Sequence, residues 1–517
     1  MMDPAAAAGV LADLSADPYG QFSPSPYETA RLVTLAPDLA GHAGRMRFLL
    51  AEQNGDGGWG RPDGYGLLPT LSATEALLAE LHRTRDVTVG LAAGRGLQAL
   101  LTRLATDDTT LPDTVAVEVL VPGLVLDINT RLDDLDAQPW PALHGRRLPY
   151  PKGTNPEPLW ALREAVRQGK PLPPKLVHSL EAIGPAAQGF SSVRPGIDGL
   201  GCSPAATAAW LGNDAMTTDQ PGVRYLKTVQ ARHGGPVPVA APLGVFERSW
   251  VLATLLGAGV EPRVPPAVAT SLYQAVGDDG VAGGTGLLPD ADDTACTLHA
   301  LALLGTPLPL DCLWAYQHDD HFVTYPEERT PSVTTNAHVL QAFATTGPPT
   351  RRVTKAMRML TTWLCGRQGG DGTWSDKWHA SEYYATFCCV SALTSDGEST
   401  AAVRKAVRWV VGTQRTDGSW GRWEGTPEET AYAVQILLHA NGGKPDPAIE
   451  QAAARGCAYL LATEGVPNPP LWHDKDLYTP DRIVLAQRIA VLHAATANPR
   501  IGMLVGPWAD AVAGRTA

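Results

Sequence analysis

Apolar and polar positions along the chain fall into helix-length stretches closed by a recurring turn. Runs such as Met46-Arg47-Phe48-Leu49-Leu50 and Val407-Arg408-Trp409-Val410-Val411 alternate apolar and charged residues at helical spacing and predict amphipathic helices. Three segments, 53–59, 368–374 and 414–420, share one pattern: Gln, two residues, Asp-Gly, one residue, Trp. A fixed turn that ends one helix and precedes the next predicts an α/α repeat, stacked into a solenoid or closed into a barrel. Asp-Gly supplies the tight turn, Gln bonds backbone ends of a neighbouring helix, and Trp packs across the joint, so the motif reads as structural. The stretches 71–76, 292–296, 333–337 and 428–432 each set small or polar residues before an apolar run. In a closed α/α barrel such second helices line the inside, with their N-terminal residues around a central cavity.

One of these inner N-termini carries chemistry. Asp290-Ala291-Asp292-Asp293 puts three carboxylates within four residues at the mouth of an apolar stretch that continues through Thr294-Ala295-Cys296. Like charges this close cannot all ionise where water is scarce, so at least one carboxyl should stay protonated near neutral pH and serve as a Brønsted acid. The alternative is an acidic helix start, where capping and the helix dipole favour ionised Asp.

Composition narrows the remaining choices. With 517 residues, 44% of them hydrophobic, the chain can build more than one core. A formal net charge of -12 and scattered basic residues argue against nucleic acid as partner. No apolar run approaches the ~20 residues of a membrane span, and the start Met1-Met2-Asp3-Pro4-Ala5 lacks the features of a signal peptide. The 7 cysteines, among them the adjacent Cys388 and Cys389, show no CxxC spacing and read as reduced core residues of a cytoplasmic protein.

Asp290-Ala291-Asp292-Asp293-Thr294 resembles the DxDD motif of class II terpene cyclases, which begin cyclisation by protonating an alkene. Further landmarks, in order, resemble diterpene cyclases of the copalyl diphosphate synthase type: 202–208 (Cys-Ser-Pro-Ala-Ala-Thr-Ala), Gly234-Gly235, Phe246-Glu247-Arg248-Ser249-Trp250, 376–381 (Asp-Lys-Trp-His-Ala-Ser) and 471–478 (Leu-Trp-His-Asp-Lys-Asp-Leu-Tyr). The resemblance implies an all-α fold of two α/α barrels. A β domain, 1–24 with 236–517, carries the acid, and a γ domain, 25–235, is inserted after its first helix, with the active site between them. Its implied reaction converts geranylgeranyl diphosphate into a bicyclic labdane, halimadane or clerodane diphosphate. Farnesyl diphosphate, giving a drimane, is the alternative substrate; a squalene-hopene type triterpene cyclase and a non-catalytic α/α scaffold are weaker readings. The metal motifs of class I ionisation are missing, since Asp107-Asp108 and Asp319-Asp320 lack a closing acid, so the diphosphate should be retained.

The same resemblance distributes roles. Asp292 becomes the proton donor, Asp290 and Asp293 tune it, and Asn336 holds the acid's other oxygen. Trp374, Trp378, Tyr383 and Tyr384 are candidates for the π faces around the cation. Asp113 and Glu118 look like the DxxxxE arrangement that holds Mg²⁺. Residues five apart share no helix face, so Asp113 should lie in the turn before the helix, with Asp107 and Asp108 as the alternative ligands. Lys475, then Arg163 and Lys170, are candidates for diphosphate contact. His178 matches the histidine that, with an asparagine, forms the terminal base in plant relatives. Val239 fills the asparagine position, so proton loss calls for another group or a longer cation migration, and rearranged skeletons gain weight.

Overall fold

The computed structural model describes residues 4–105, 111–135, 139–394, 401–440 and 445–513, and helices make up nearly all of its regular structure. The glutamine turns explain why helices pair as they do. Gln53 Nε2 donates to the carbonyls of Gly57 at 2.9 Å and Ala92 at 3.0 Å, tying the turn to the following outer helix. Trp59 Nε1 donates back to Leu49 O at 2.8 Å. The same bonds recur from Gln368 to Gly372 and Ala402 and from Gln414 to Gly418 and Ala452, with Trp374 and Trp420 bonded to Leu364 O and Val410 O. The turn glycine is required here: Gly372 has φ +108, and a Cβ on it would stand 2.7 Å from Lys405 O.

Two helical bodies result. In the larger, helices Gly244–Gly257, Ala291–Leu303, Val333–Thr345, Glu382–Leu393, Pro427–Ala440 and Asp481–Ala497 contact one another in sequence and the last returns to the first, closing an inner ring. Pro266–Ala275, Arg351–Gly366, Ala401–Gly412 and Pro447–Ala462 pack outside it, and Pro4–Ala16, from the other end of the chain, packs against this body too. In the smaller body, helices Pro26–Leu35, Leu67–Thr84 and Val117–Asp133, the 3₁₀ segment Pro174–Ala187 and helix Pro204–Leu211 close a second ring. The turns thus build α/α repeats that close into barrels, and the all-α fold of two barrels is the one that the resemblance implies.

Several inner helices start on polar caps, which explains the polar residues before their apolar runs, whereas the stretch 71–76 lies inside the helix Leu67–Thr84, which begins at Gly66 without a side-chain cap. Ser25, Ser203, Ser332 and Ser381 each accept a backbone N–H of their helix's first turn, and Asp290 does the same for Asp293 N. A short antiparallel hairpin, Trp472–His473 paired with Leu477–Tyr478, projects from the larger body. Its tip, Asp474-Lys475-Asp476, reaches into the smaller one.

Candidate active site

The acid cluster is both things that the sequence allows: a helix cap and a set of proton-holding carboxyls. Asp290 Oδ1 accepts Asp293 N at 2.7 Å, and its Oδ2 accepts the Tyr325 hydroxyl at 3.0 Å. Burial, then the charge of Asp292, pushes the Asp290 carboxyl up to about 7. Burial, then Asp290, holds Asp293 well above the ordinary carboxylate range. Asp293 Oδ1 is buried with no hydrogen-bond partner, and Gly283 makes room for the carboxyl, since a Cβ there would lie 2.6 Å from Asp293 Oδ2.

Asp292 turns elsewhere, to a partner the sequence reading missed. His338 Nδ1 lies 2.7 Å from Asp292 Oδ1, and Trp250 meets the imidazole edge-on at 5.4 Å. Burial would lower the pKa of this histidine, but the Asp292 carboxylate outweighs it and holds the imidazole well above its usual value. The contact with Asp292 expected of Asn336 is made by a residue two positions on. Asn336 instead spends its side chain on backbone, accepting Phe322 N at 2.8 Å and donating to Phe322 O and Ser332 O. The only signal for His338 was an imidazole on the inner helix Val333–Thr345, one turn beyond the polar start Thr334-Thr335-Asn336.

A cavity of about 300 Å³ lies between the bodies. Asp293 and Tyr325 stand on its wall with Phe246, Trp378 and Tyr478, while His178, Asp474 and Glu118 line other parts of it. A second hollow of about 280 Å³ occupies the larger ring, bordered by Trp250, Cys296, His338, Tyr384, Tyr432 and Trp472. Of the aromatic candidates, Trp378 faces the interbody cavity and Tyr384 the inner hollow. Trp374 is sealed in its turn, 1% exposed, and Tyr383 stacks on Trp409 at 4.4 Å, between helices.

The expected diphosphate cations are corrected by their surroundings. Lys475 is 1% exposed, and its Nζ is taken by Glu28 at 2.7 Å, Glu181 at 2.8 Å and Ser203 at 2.8 Å, so it binds the two bodies together and has no bond to spare for phosphate. Arg163 donates to Ala182 O, and Lys170 is exposed beyond the Glu157–Arg167 helix; neither lines the interbody cavity. Besides His178 and His473, the basic residues on that cavity are Lys175 and Arg329.

Asp113 lies before the Val117–Asp133 helix, where a five-residue spacing requires it, and Asp107 and Asp108 lie outside the described residues. Asp113 and Glu118 converge on one guanidinium: Arg329 bonds Asp113 and stands 3.2 Å from Glu118. Among the described residues no three His, Cys, Asp or Glu side chains gather into a metal site. Two hard carboxylates at a cavity rim nevertheless fit Mg²⁺, which commonly takes one or two carboxylates and completes its shell with water and substrate phosphate.

His178 lies on the cavity with both ring nitrogens engaged, Nδ1 at 2.6 Å from Gly201 O and Nε2 at 3.2 Å from Asp474 Oδ2. Val239 is fully buried in the larger core.

Comparison with known proteins gives a consistent picture. The family model described as "Squalene-hopene cyclase C-terminal domain" matches residues 327–480. The chain is 46% identical to ent-copalyl diphosphate synthase of Streptomyces sp. (strain KO-3988), covering 95% of this chain and 96% of the relative. It is 44% identical to labda-7,13-dienyl diphosphate synthase of Streptomyces clavuligerus, over 94% and 92%. The solved ent-copalyl diphosphate synthase from Streptomyces platensis matches with a TM-score of 0.89 and 45% identity, covering 95% of this chain and 99% of that one.

Proposed function

The chain belongs to the class II diterpene cyclases of the copalyl diphosphate synthase type, and from that premise we propose that it cyclises geranylgeranyl diphosphate to a bicyclic diterpenyl diphosphate. The observation that carries this reading is a buried carboxyl cluster, able to hold a proton at neutral pH, on the wall of an aromatic cavity between two α/α barrels.

Asp292 donates the proton to the terminal alkene. His338 holds the protonated carboxyl by its other oxygen, and it is the carboxylate left behind after the transfer that raises the affinity of the imidazole for a proton and is stabilised by it. The proton bonds to one alkene carbon, the other becomes cationic, and two ring closures pass the charge along the chain. Phe246, Trp378 and Tyr478 on the cavity wall offer π faces to that charge. The diphosphate stays at the rim, near Arg329 and Lys175, and leaves with the product. Asp113 and Glu118 would hold Mg²⁺, which when bound neutralises part of the diphosphate charge. We locate the enzyme in the cytoplasm; its cysteines are all free thiols, and no described helix is long and apolar enough to cross a membrane.

One observation favours a second reading of the acid: Asp293, not Asp292, lines the interbody cavity and has an unpartnered oxygen. In that case the Asp292–His338 pair restores the proton to Asp293. The experiment incubates the protein with geranylgeranyl and with farnesyl diphosphate plus Mg²⁺, then analyses the phosphatase-released alcohols by mass spectrometry. Bicyclic C20 products support the reading, and the absence of any cyclised product overturns it. Single turnover then assigns the acid: Asp292→Asn should abolish the first turnover, whereas a first turnover that survives Asp292→Asn and is lost in Asp293→Asn gives the role to Asp293.

A further inference from the structure

We propose that Asp474, at the tip of the interbody hairpin, is the base that takes the final proton from the cyclised cation, with His178 as its positioning residue. This rests on the cyclase reading above and names the group that ends the reaction.

The hydrogen bonds of His178 exclude the histidine itself. A carbonyl oxygen can only accept, so Nδ1 must donate to Gly201 O. Nε2 faces a carboxylate oxygen, and it too must donate unless Asp474 is protonated. With both nitrogens bearing hydrogen the ring is an imidazolium without a lone pair. Its electrostatics agree. Burial would discharge the ring, but Asp474 outweighs burial and raises its pKa. In the other direction, burial would raise the Asp474 carboxyl, yet His178 and Lys475 hold it below its usual value. The pair therefore stands as imidazolium and carboxylate.

The unshared electron pairs that meet the cavity are those of Asp474. Its side chain is 18% exposed and lines the interbody cavity, and among the described residues Oδ1 takes no hydrogen bond. The cavity joins the acid cluster to the base: Asp293 and Asp474 both line it, and Tyr325 and Tyr478 feel the charges of both. A carboxylate at that end also draws the cation toward it, which a neutral group cannot do. The neighbouring His473 lines the same cavity, but Nδ1 is spent on Lys377 O at 2.9 Å, and burial lowers its pKa to about 4, so it disfavours becoming charged. Val239, buried and apolar, plays no part. In the step itself a C–H bond next to the cationic carbon breaks, its electron pair becomes the ring or exocyclic alkene, and the proton passes to a carboxylate oxygen of Asp474.

The test is the product profile from geranylgeranyl diphosphate. Asp474→Asn keeps the shape and removes the base. It should still consume substrate, but more than half of the product should become alcohols from water capture, or shifted alkenes. Asp474→Glu, with the base moved by one methylene, should make alkenes without alcohols, in altered isomer ratio. His178→Gln should slow turnover and keep the wild-type product, and so should His473→Phe. An unchanged single product from Asp474→Asn overturns the proposal, as do an unchanged product from Asp474→Glu if the Asn variant fails to fold, a product switch in His473→Phe alone, and complete loss of turnover in both folded Asp474 variants. Wild-type protein that forms no cyclic product would refute the cyclase reading itself, which separates the two failures.

Discussion

A carboxyl that has to give its proton to an alkene is useful only while it holds one, and here that condition is set by three side chains sharing a dry corner. Asp290 keeps its proton below a pH of about 7 and loses it above, because burial and the charge of Asp292 both penalise its ionised form. The expected consequence is that kcat falls as pH rises through about 7, and that Asp290→Asn displaces this limb; a pH–rate profile flat from 6 to 9 would count against a shared proton. His338 adjoins this cluster. Its replacement by Gln should lower kcat by about 10²-fold or more with little change in KM. The sequence made the carboxylates legible because three lie within four residues. It hid His338, since a contact across two neighbouring helices leaves no mark in local spacing, and the nearby Asn336 offered an equally polar candidate.

Elements were legible where one residue type does one backbone task. The glutamine, Asp-Gly and Trp turns could be read as joints because the same three bonds are needed at each. Polar residues before two of the inner helices could be read as helix starts for the same reason, and Ser332 and Ser381 do cap there. The diphosphate cations were not legible. A buried Lys475 and an accessible Arg329 look alike in sequence; both meet carboxylates from remote segments, and what separates them is that Lys475 is sealed in the interface while Arg329 stays open on the cavity. At the junction leading into the Val117–Asp133 helix, Asp113 and Glu118 share Arg329. If this pair anchors the diphosphate through Mg²⁺, Glu118→Ala should raise KM more than it lowers kcat, and should blunt the response to added Mg²⁺. Kinetics unaffected by the substitution and by a chelator would make the pair purely an ion bridge for Arg329.

At the scale of the whole molecule, the two barrels share one interface, and its centre is a charge buried far from water. Lys475 answers Glu28 and Glu181, while Asp476 bonds Ser25 Oγ at 2.8 Å and Tyr27 N at 3.0 Å. Removing the cation leaves two carboxylates buried without it. Lys475→Ala should therefore cost about 3–5 kcal/mol in urea unfolding. A loss under 1 kcal/mol would mean that water or protons take over its place. The pairing could not be foreseen from the sequence: the partners stand 447 and 294 positions before the lysine. Those separations also impose an order in time. The chain emerges from its N-terminus, so the smaller barrel exists in outline long before the hairpin is synthesised. Until then Glu28 and Glu181 face a seat with no cation in it, and the first barrel to be made waits for a residue that is added just before Asp481–Ala497, the helix that closes the second.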